Sequence, residues 1–181
     1  MKHVDSDTKG VLLIHNESST GVYNDLITFG EALKDTNTFL IADSISGAGG
    51  LEIKMDEWHV DVVLTSSQKA LITPPGLAFV SLSEKAWNAV ENAKNPRFYF
   101  DLKKARESNK SNQTPWTCSV ATIYGVEEAL NMIFEEGLEN VYKRHSNNAH
   151  IVREGVKKLG FSLFAKDENY ASPPLSAVSA P

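Results

Sequence analysis

Residues 60–76 read VDVVLTSSQKALITPPG: a short apolar run, a polar break holding one lysine, and a Pro-Pro-Gly turn. The run Val60 to Leu64 is continuous rather than alternating, which is how a strand reads when both faces of its sheet are covered. Upstream, Thr38 to Ala42 and Val11 to Ile14 repeat the pattern. Downstream, Leu77 to Leu82 supplies a fourth run directly after the turn. Between the first two runs, Leu26, Ile27, Phe29 and Leu33 form an apolar helical stripe, with Asp25 placed to cap it. Strand, helix, strand is the signature of an α/β layer structure. The expected fold class is therefore α/β, with a parallel or mixed sheet.

Ser83 is placed to cap a further helix through Trp87 and Val90. At Thr117 the character changes. Val120, Ile123, Tyr124, Ala129, Leu130 and Ile133 recur at helical spacing up to Gly137, a helix-terminating glycine. A second helix is expected to carry Leu138, Val141, Tyr142, His145, Ala149, Val152 and Val156 on one face and to stop at Gly160. Phe161 to Phe164 then reads as a strand of a different layer, and Leu175 to Val178 as the start of another. The visible strands are too few for a complete doubly wound domain, so the 181 residues read as a fragment of one.

Composition narrows the partners. With 41% hydrophobic and 23% charged residues, the chain falls in the globular range rather than the disordered one. A net charge of -5, with eighteen Lys and Arg scattered along the chain, argues against nucleic acid. No apolar run spans a bilayer, and the N-terminal MKHVDSDTKG has no signal-peptide core. A single cysteine fits a reducing compartment, so the expected address is cytoplasmic.

Candidate chemistry gathers where strands end. In open parallel sheets, ligands bind at the carboxyl ends of strands, where side chains from neighbouring strands converge. HNESSTGV (15–22), ADSISGAGG (42–50) and TSSQKALITPPG (65–76) each follow a strand run. Lys69 falls just past such an end, and a lysine there forms an imine with an aldehyde when its pKa is lowered. Asp43 ends the preceding strand, where a carboxylate facing a pyridine nitrogen keeps that nitrogen protonated. Ser18, Ser19 and Thr20 are equally suited to capping the helix that follows them.

The three segments, in this order, resemble those of fold-type I, class V aminotransferases of the alanine–glyoxylate and serine–pyruvate type. The spacing of 26 residues from Asp43 to Lys69 also fits that family. The resemblance continues through DEWHVDVV (56–63), LSEKAW (82–87) and TPWT (114–117) and covers nearly the whole chain. It implies that residues 1–116 are part of the large cofactor-binding domain. Residues 117–181 would be linking helices and the start of the α+β small domain. The implied cofactor is pyridoxal 5'-phosphate, held covalently by Lys69 with Asp43 at its pyridine nitrogen. Ser18 would meet the ring's phenolic oxygen and Gln68 the phosphate. Thr114 and Thr117 would reach the phosphate bound by the neighbouring subunit of a homodimer. Thr114 departs from the family, which often has an aromatic hydroxyl there, and Thr117 suits a helix cap as well as a ligand.

The implied reaction moves an amino group between a small amino acid, alanine or serine, and a 2-oxo acid, glyoxylate or pyruvate. The family's glycine-rich phosphate loop and ring-stacking aromatic lie upstream of these residues, and its substrate-binding arginine lies beyond Pro181. A chain of this length is therefore expected to bind cofactor poorly, and a catalytically silent, truncated remnant is the alternative. A cysteine desulfurase-like lyase is disfavoured, because Cys118 sits at a helix start and reads as a small buried residue. His145 and His150 are five apart and face different directions, so no metal site is expected. His15 reads as a packing residue at a strand end.

Overall fold

The computed structural model describes residues 3–180. In chain order the elements are β1 (Gly10–Ile14), β2 (Asn16–Glu17), β3 (Val22–Tyr23), α1 (Leu26–Leu33), β4 (Phe39–Asp43), β5 (Val62–Ser66) and β6 (Ala78–Leu82). They continue with α2 (Glu84–Asn92), α3 (Leu102–Asn109), α4 (Val120–Glu136), α5 (Leu138–Lys158), β7 (Ser162–Leu163) and β8 (Val178–Ser179). The main sheet runs β1-β4-β5-β6. Its first three strands are parallel, and β6 returns antiparallel along β5. This is the mixed α/β sheet that the apolar runs predict.

The core lies between α1 and one face of that sheet. Leu26 and Leu33 of α1 pack on Leu40 and Ala42 of β4, on Val63 of β5 and on Val60, all of them buried. Helix α1 forms where its stripe predicts, and the Asp25 carboxylate accepts from the amides of Ile27 and Thr28 at 3.0 and 3.3 Å. The expectation that both sheet faces are covered does not hold within this chain. Val11 and Leu13 of β1 pack on the core, but Leu12 is 80% exposed on the opposite face. Alternation along β1 is thus hidden in the sequence, because its outward residues are apolar too.

Asp61 ties the layers together. Its buried carboxylate accepts from Leu40 N at 3.0 Å, Ser83 Oγ at 2.9 Å and Lys85 Nζ at 3.1 Å. Ser83 in turn caps α2, accepting from Ala86 N at 3.1 Å. One carboxylate therefore joins β4, the entry to β5 and the start of α2. Removing it would strand several buried donors at once.

Helix α3 has no counterpart in the sequence reading. It buries no residue and presents no apolar stripe, and it is held by its Asp101 cap. It is also held by cations over rings, Lys104 above Phe98 and Arg106 above Trp87. Helices α4 and α5 end near their predicted glycines, Gly137 and Gly160, both at positive φ. The face of α5 is narrower than expected: Val141 and Ala149 are buried, whereas Leu138 and Val152 are exposed. The late strand runs shrink to the two-residue β7 and β8, which pair antiparallel in a separate small sheet.

Candidate active site

The parallel register sets Ile14 beside Asp43 and Asp43 beside Leu64. Just past those pairs, His15 N donates to Asp43 O at 2.8 Å and Ser44 N donates to Leu64 O at 2.9 Å. The carboxyl ends of β1, β4 and β5 therefore lie side by side, and the segments after them share one end of the sheet.

HNESSTGV is not the plain loop expected. It folds into the β2–β3 hairpin, with Ser18 exposed in its turn. Neither Ser18 nor its neighbours cap α1, since Asp25 does so and Ser19 instead donates to Glu17 Oε1 at 2.7 Å. The hairpin is clipped to the Asp43 segment. Asn16 Nδ2 donates to Ser46 O and Oγ at 3.2 and 3.0 Å, and Ser46 Oγ donates back to Asn16 O at 2.7 Å.

Asp43 is the last residue of β4 and half-buried, with Oδ1 accepting from Ile45 N at 3.0 Å. Beside it, His15 Nδ1 and Ser44 Oγ lie 2.9 Å apart, both buried. A Cβ on Gly47 would lie 2.7 Å from Ser44 Oγ and 3.1 Å from His15 Nδ1, so only glycine fits over this pair. Burial lowers the His15 pKa from 6.5 to about 4. His15 is thus a neutral, hydrogen-bonded fixture beneath the strand ends, more than the packing residue the sequence suggests.

That burial carries a pH dependence. A histidine whose folded pKa lies below its unfolded value stabilises the fold fully above pH 6.5 and loses that contribution as pH falls through about 4. From neutral pH to about pH 4 the loss amounts to about 3 kcal/mol. Urea unfolding at the two pH values should therefore show a larger acid loss in the wild type than in His15→Gln. Equal losses would mean that His15 is protonated in the folded state at no cost.

Lys69 lies three residues past β5, exposed together with Gln68. None of the ion pairs among the described residues involves Lys69. Its loop packs directly on the Asp43 segment. At Gly49, φ is 98°, and a Cβ would meet Leu71 Cδ2 at 3.2 Å and Ala70 O at 3.3 Å. The positive φ favours glycine there, and the close approach leaves a Cβ little room. At the end of β5, Thr65 Oγ1 and Ser66 Oγ are buried without a partner, as are Asn16 Oδ1 in the hairpin and Ser172 Oγ near the C-terminus. Buried polar atoms normally find partners, so an orphan at the strand end that leads to Lys69 fits a polar group bound there.

The threonines precede Ser119, whose Cβ would lie 3.8 Å from a Cβ on Gly76 in the Lys69 loop. Both are exposed in the segment leading to α4, and Thr114 Oγ1 donates to Trp116 O at 2.7 Å. Thr117 is not a helix cap: Ser119 holds that position, its hydroxyl 2.7 Å from Thr122 Oγ1. Cys118 is only partly buried and precedes the first helical turn, contrary to the buried reading. No group of three or more His, Cys, Asp or Glu among the described residues is arranged to hold a metal. No helix there is long and apolar enough to cross a membrane.

The residues absent from the sequence reading are Asn16, Ser44, Ser46, Ser67 and Thr73. Their signal was the density of small polar residues around glycines after each strand. Such composition marks turns in general and does not tell which hydroxyls face inward.

Chains of known kind share this arrangement. The class-V aminotransferase family model matches residues 1–179. An uncharacterized aminotransferase of Methanocaldococcus jannaschii is 43% identical over 165 residues, covering 89% of this chain and 42% of that protein. The L-aspartate–glyoxylate aminotransferase of Paracoccus denitrificans is 39% identical over 173 residues, covering 94% and 44% respectively. The crystal structure of alanine–glyoxylate aminotransferase from Nostoc sp. superposes with a TM-score of 0.89 at 29% identity, covering 95% of this chain and 46% of that one. The chain spans less than half the length of these relatives. Across nearly all of its own length, it belongs to the class V aminotransferases.

Proposed function

We propose that this chain is the lysine-bearing part of a pyridoxal-phosphate-dependent aminotransferase. Its reaction would exchange an amino group between alanine or serine and glyoxylate or pyruvate. The observation that carries this reading is the packing of the Lys69 loop on the Asp43 segment, across adjacent parallel strand ends, with two unpartnered hydroxyls at the end of β5. An exposed amine, a carboxylate and unpartnered hydroxyls at one end of a sheet form a donor set that fits an aldehyde-bearing, phosphorylated pyridine. Two relatives named for glyoxylate as amino acceptor, one of them acting on alanine, support the substrate class.

When bound, the cofactor supplies an electron sink for the pair left as the substrate's Cα–H bond breaks. The rest falls to the protein. Lys69 would hold the cofactor covalently, and its Nζ, when free, would carry the Cα proton. Asp43 would pair with the pyridine nitrogen and keep it protonated. Ser18 would donate to the phenolic oxygen, and Gln68 would bind the phosphate. Thr114 and Thr117, exposed ahead of α4, would serve the phosphate of a second subunit in a homodimer. The separate β7–β8 sheet supports reading residues from 117 onward as the beginning of a second domain.

The decisive experiment is reductive trapping. The full-length protein containing this chain, incubated with pyridoxal phosphate and reduced with borohydride, should carry a pyridoxyl group on the Ser67-Gln68-Lys69 peptide. A label on any other lysine overturns the assignment.

A further inference from the structure

We propose that Ser67 is a positioning residue for Lys69. It closes the 67–77 loop against backbone strain at Ile72 and so fixes where the amine is presented. The inference rests on the reading that Lys69 carries the cofactor, but the loop closure itself can be tested without cofactor.

Ser67 is completely buried, two residues before the exposed Lys69, and all its bonds go to the far limb of the loop. Its N–H donates to Leu77 O at 3.1 Å, and its carbonyl accepts from Thr73 N at 3.1 Å. The hydroxyl of Thr73 also donates to that carbonyl, at 2.7 Å. Ser67 Oγ donates to Pro74 O at 2.7 Å and accepts from Leu77 N at 3.3 Å. A single serine thus gathers both ends of an eleven-residue loop, residues 67–77. The side chain makes two of these five bonds and the peptide three.

This closure opposes a definite load. Ile72 has φ 60°, a left-handed conformation that β-branched residues avoid because Cβ crowds the backbone. Its N–H donates to Lys69 O at 3.0 Å, so the strained residue closes the turn that begins at Lys69. Ile72 is 63% exposed, so packing of its side chain cannot compensate. Strain of this kind persists only where the surroundings over-determine it. The surroundings here are the Ser67 hydrogen bonds and two shelves beneath the loop. A Cβ on Gly76 would lie 3.3 Å from Thr122 Oγ1, and one on Gly125 would lie 3.6 Å from Thr73 Cγ2, so the 73–76 limb rests on α4. On the other side, Ala70 and Leu71 rest on Gly49. With the base fixed and the turn forced, Lys69 has little freedom of backbone. Only its side-chain torsions remain to be set.

The test uses the full-length protein with Ser67→Ala, Thr73→Val, Ile72→Gly and the Ser67→Ala/Ile72→Gly double variant. Thr73→Val keeps the side chain's shape and removes one bond, so it serves if Ser67→Ala does not fold. Two quantities are read: amide hydrogen exchange at Thr73 and Leu77 without cofactor, and the rate of borohydride-fixed labelling at Lys69 with pyridoxal phosphate. Ser67→Ala should speed exchange at both amides by about tenfold or more, roughly the factor that losing one or two hydrogen bonds allows. It should also slow Lys69 labelling several-fold. Thr73→Val should act in the same direction by less. Adding Ile72→Gly should restore most of the labelling, because the load is then gone, and a merely structural defect would not be relieved that way. Unchanged exchange in a folded Ser67→Ala or Thr73→Val protein overturns the proposal. So does faster exchange with unchanged labelling, or a double variant that labels no better than Ser67→Ala. If the wild-type label falls on another lysine, the cofactor reading fails and takes this proposal with it. Normal wild-type labelling with indifferent variants sinks the role of Ser67 alone.

Discussion

Lys69→Ala in the full-length protein is expected to eliminate turnover, with kcat falling by at least about 10⁴-fold, while pyridoxal phosphate still binds noncovalently. Two losses add together. The variant has no amine to hold the cofactor and exchange with the substrate, and no base poised at the Cα proton; positioned proton transfer alone contributes about 10²–10⁴-fold. The exposed amine is unlocked by any ion pair among the described residues, so its removal should leave the fold intact. A small primary amine in the buffer should recover part of the proton transfer, with a rate that rises with amine concentration. Retained turnover in Lys69→Ala would sink the assignment outright. Loss of cofactor binding along with activity would mean that Lys69 contributes mainly affinity.

The sheet was legible because its strands are written as short, mostly apolar runs that stop at polar residues, His15, Asp43, Thr65 and Ser83. Asp25, Ser83, Gly137 and Gly160 marked helix ends through local chemistry that tertiary packing does not override. Two boundaries shifted for identifiable reasons. Val60 belongs to the core but not to β5, because the Asp61 carboxylate occupies Leu40 N where strand pairing would otherwise begin. The β2–β3 hairpin was hidden because a two-residue strand leaves no periodicity to read. Helix α3 escaped because it buries no residue and is held by its cap and by ring contacts.

Of the site, the order and spacing of Asp43 and Lys69 could be read from the chain, and their loops do meet. What could not be read was which small polar residues turn inward. Ser66 and Ser67 are adjacent and chemically identical. Yet Ser67 is the hub of the Lys69 loop, while Ser66 has a buried and unpartnered hydroxyl. That difference is decided by the register of β5 against β6, a pairing of residues distant in sequence.

Asp43→Asn should be the most informative single change, because it separates charge from shape. Asparagine keeps an oxygen to accept the Ile45 amide, the bond that Asp43 Oδ1 makes at 3.0 Å, so the end of β4 should be preserved. It loses the negative charge that, on the proposed reading, keeps the pyridine nitrogen protonated. One pKa unit is worth about 1.4 kcal/mol. A carboxylate in a partly buried pocket shifts its partner by about 1–3 units. Losing that much at the bond-breaking step corresponds to a fall in kcat of up to about 10³-fold. Because only the step that breaks the Cα–H bond is slowed, the deuterium isotope effect on kcat with Cα-labelled substrate should rise toward its intrinsic value. Cofactor labelling at Lys69 should change little. Asp43→Ala supplies the control, since it removes both the charge and the acceptor for Ile45 N. If the charge is what matters, Asn and Ala variants should be similarly slow, with Ala alone losing thermal stability. If Asp43→Asn runs within about threefold of wild type while Asp43→Ala fails, the carboxylate is a turn residue, and the proton on the ring nitrogen must be held by another group.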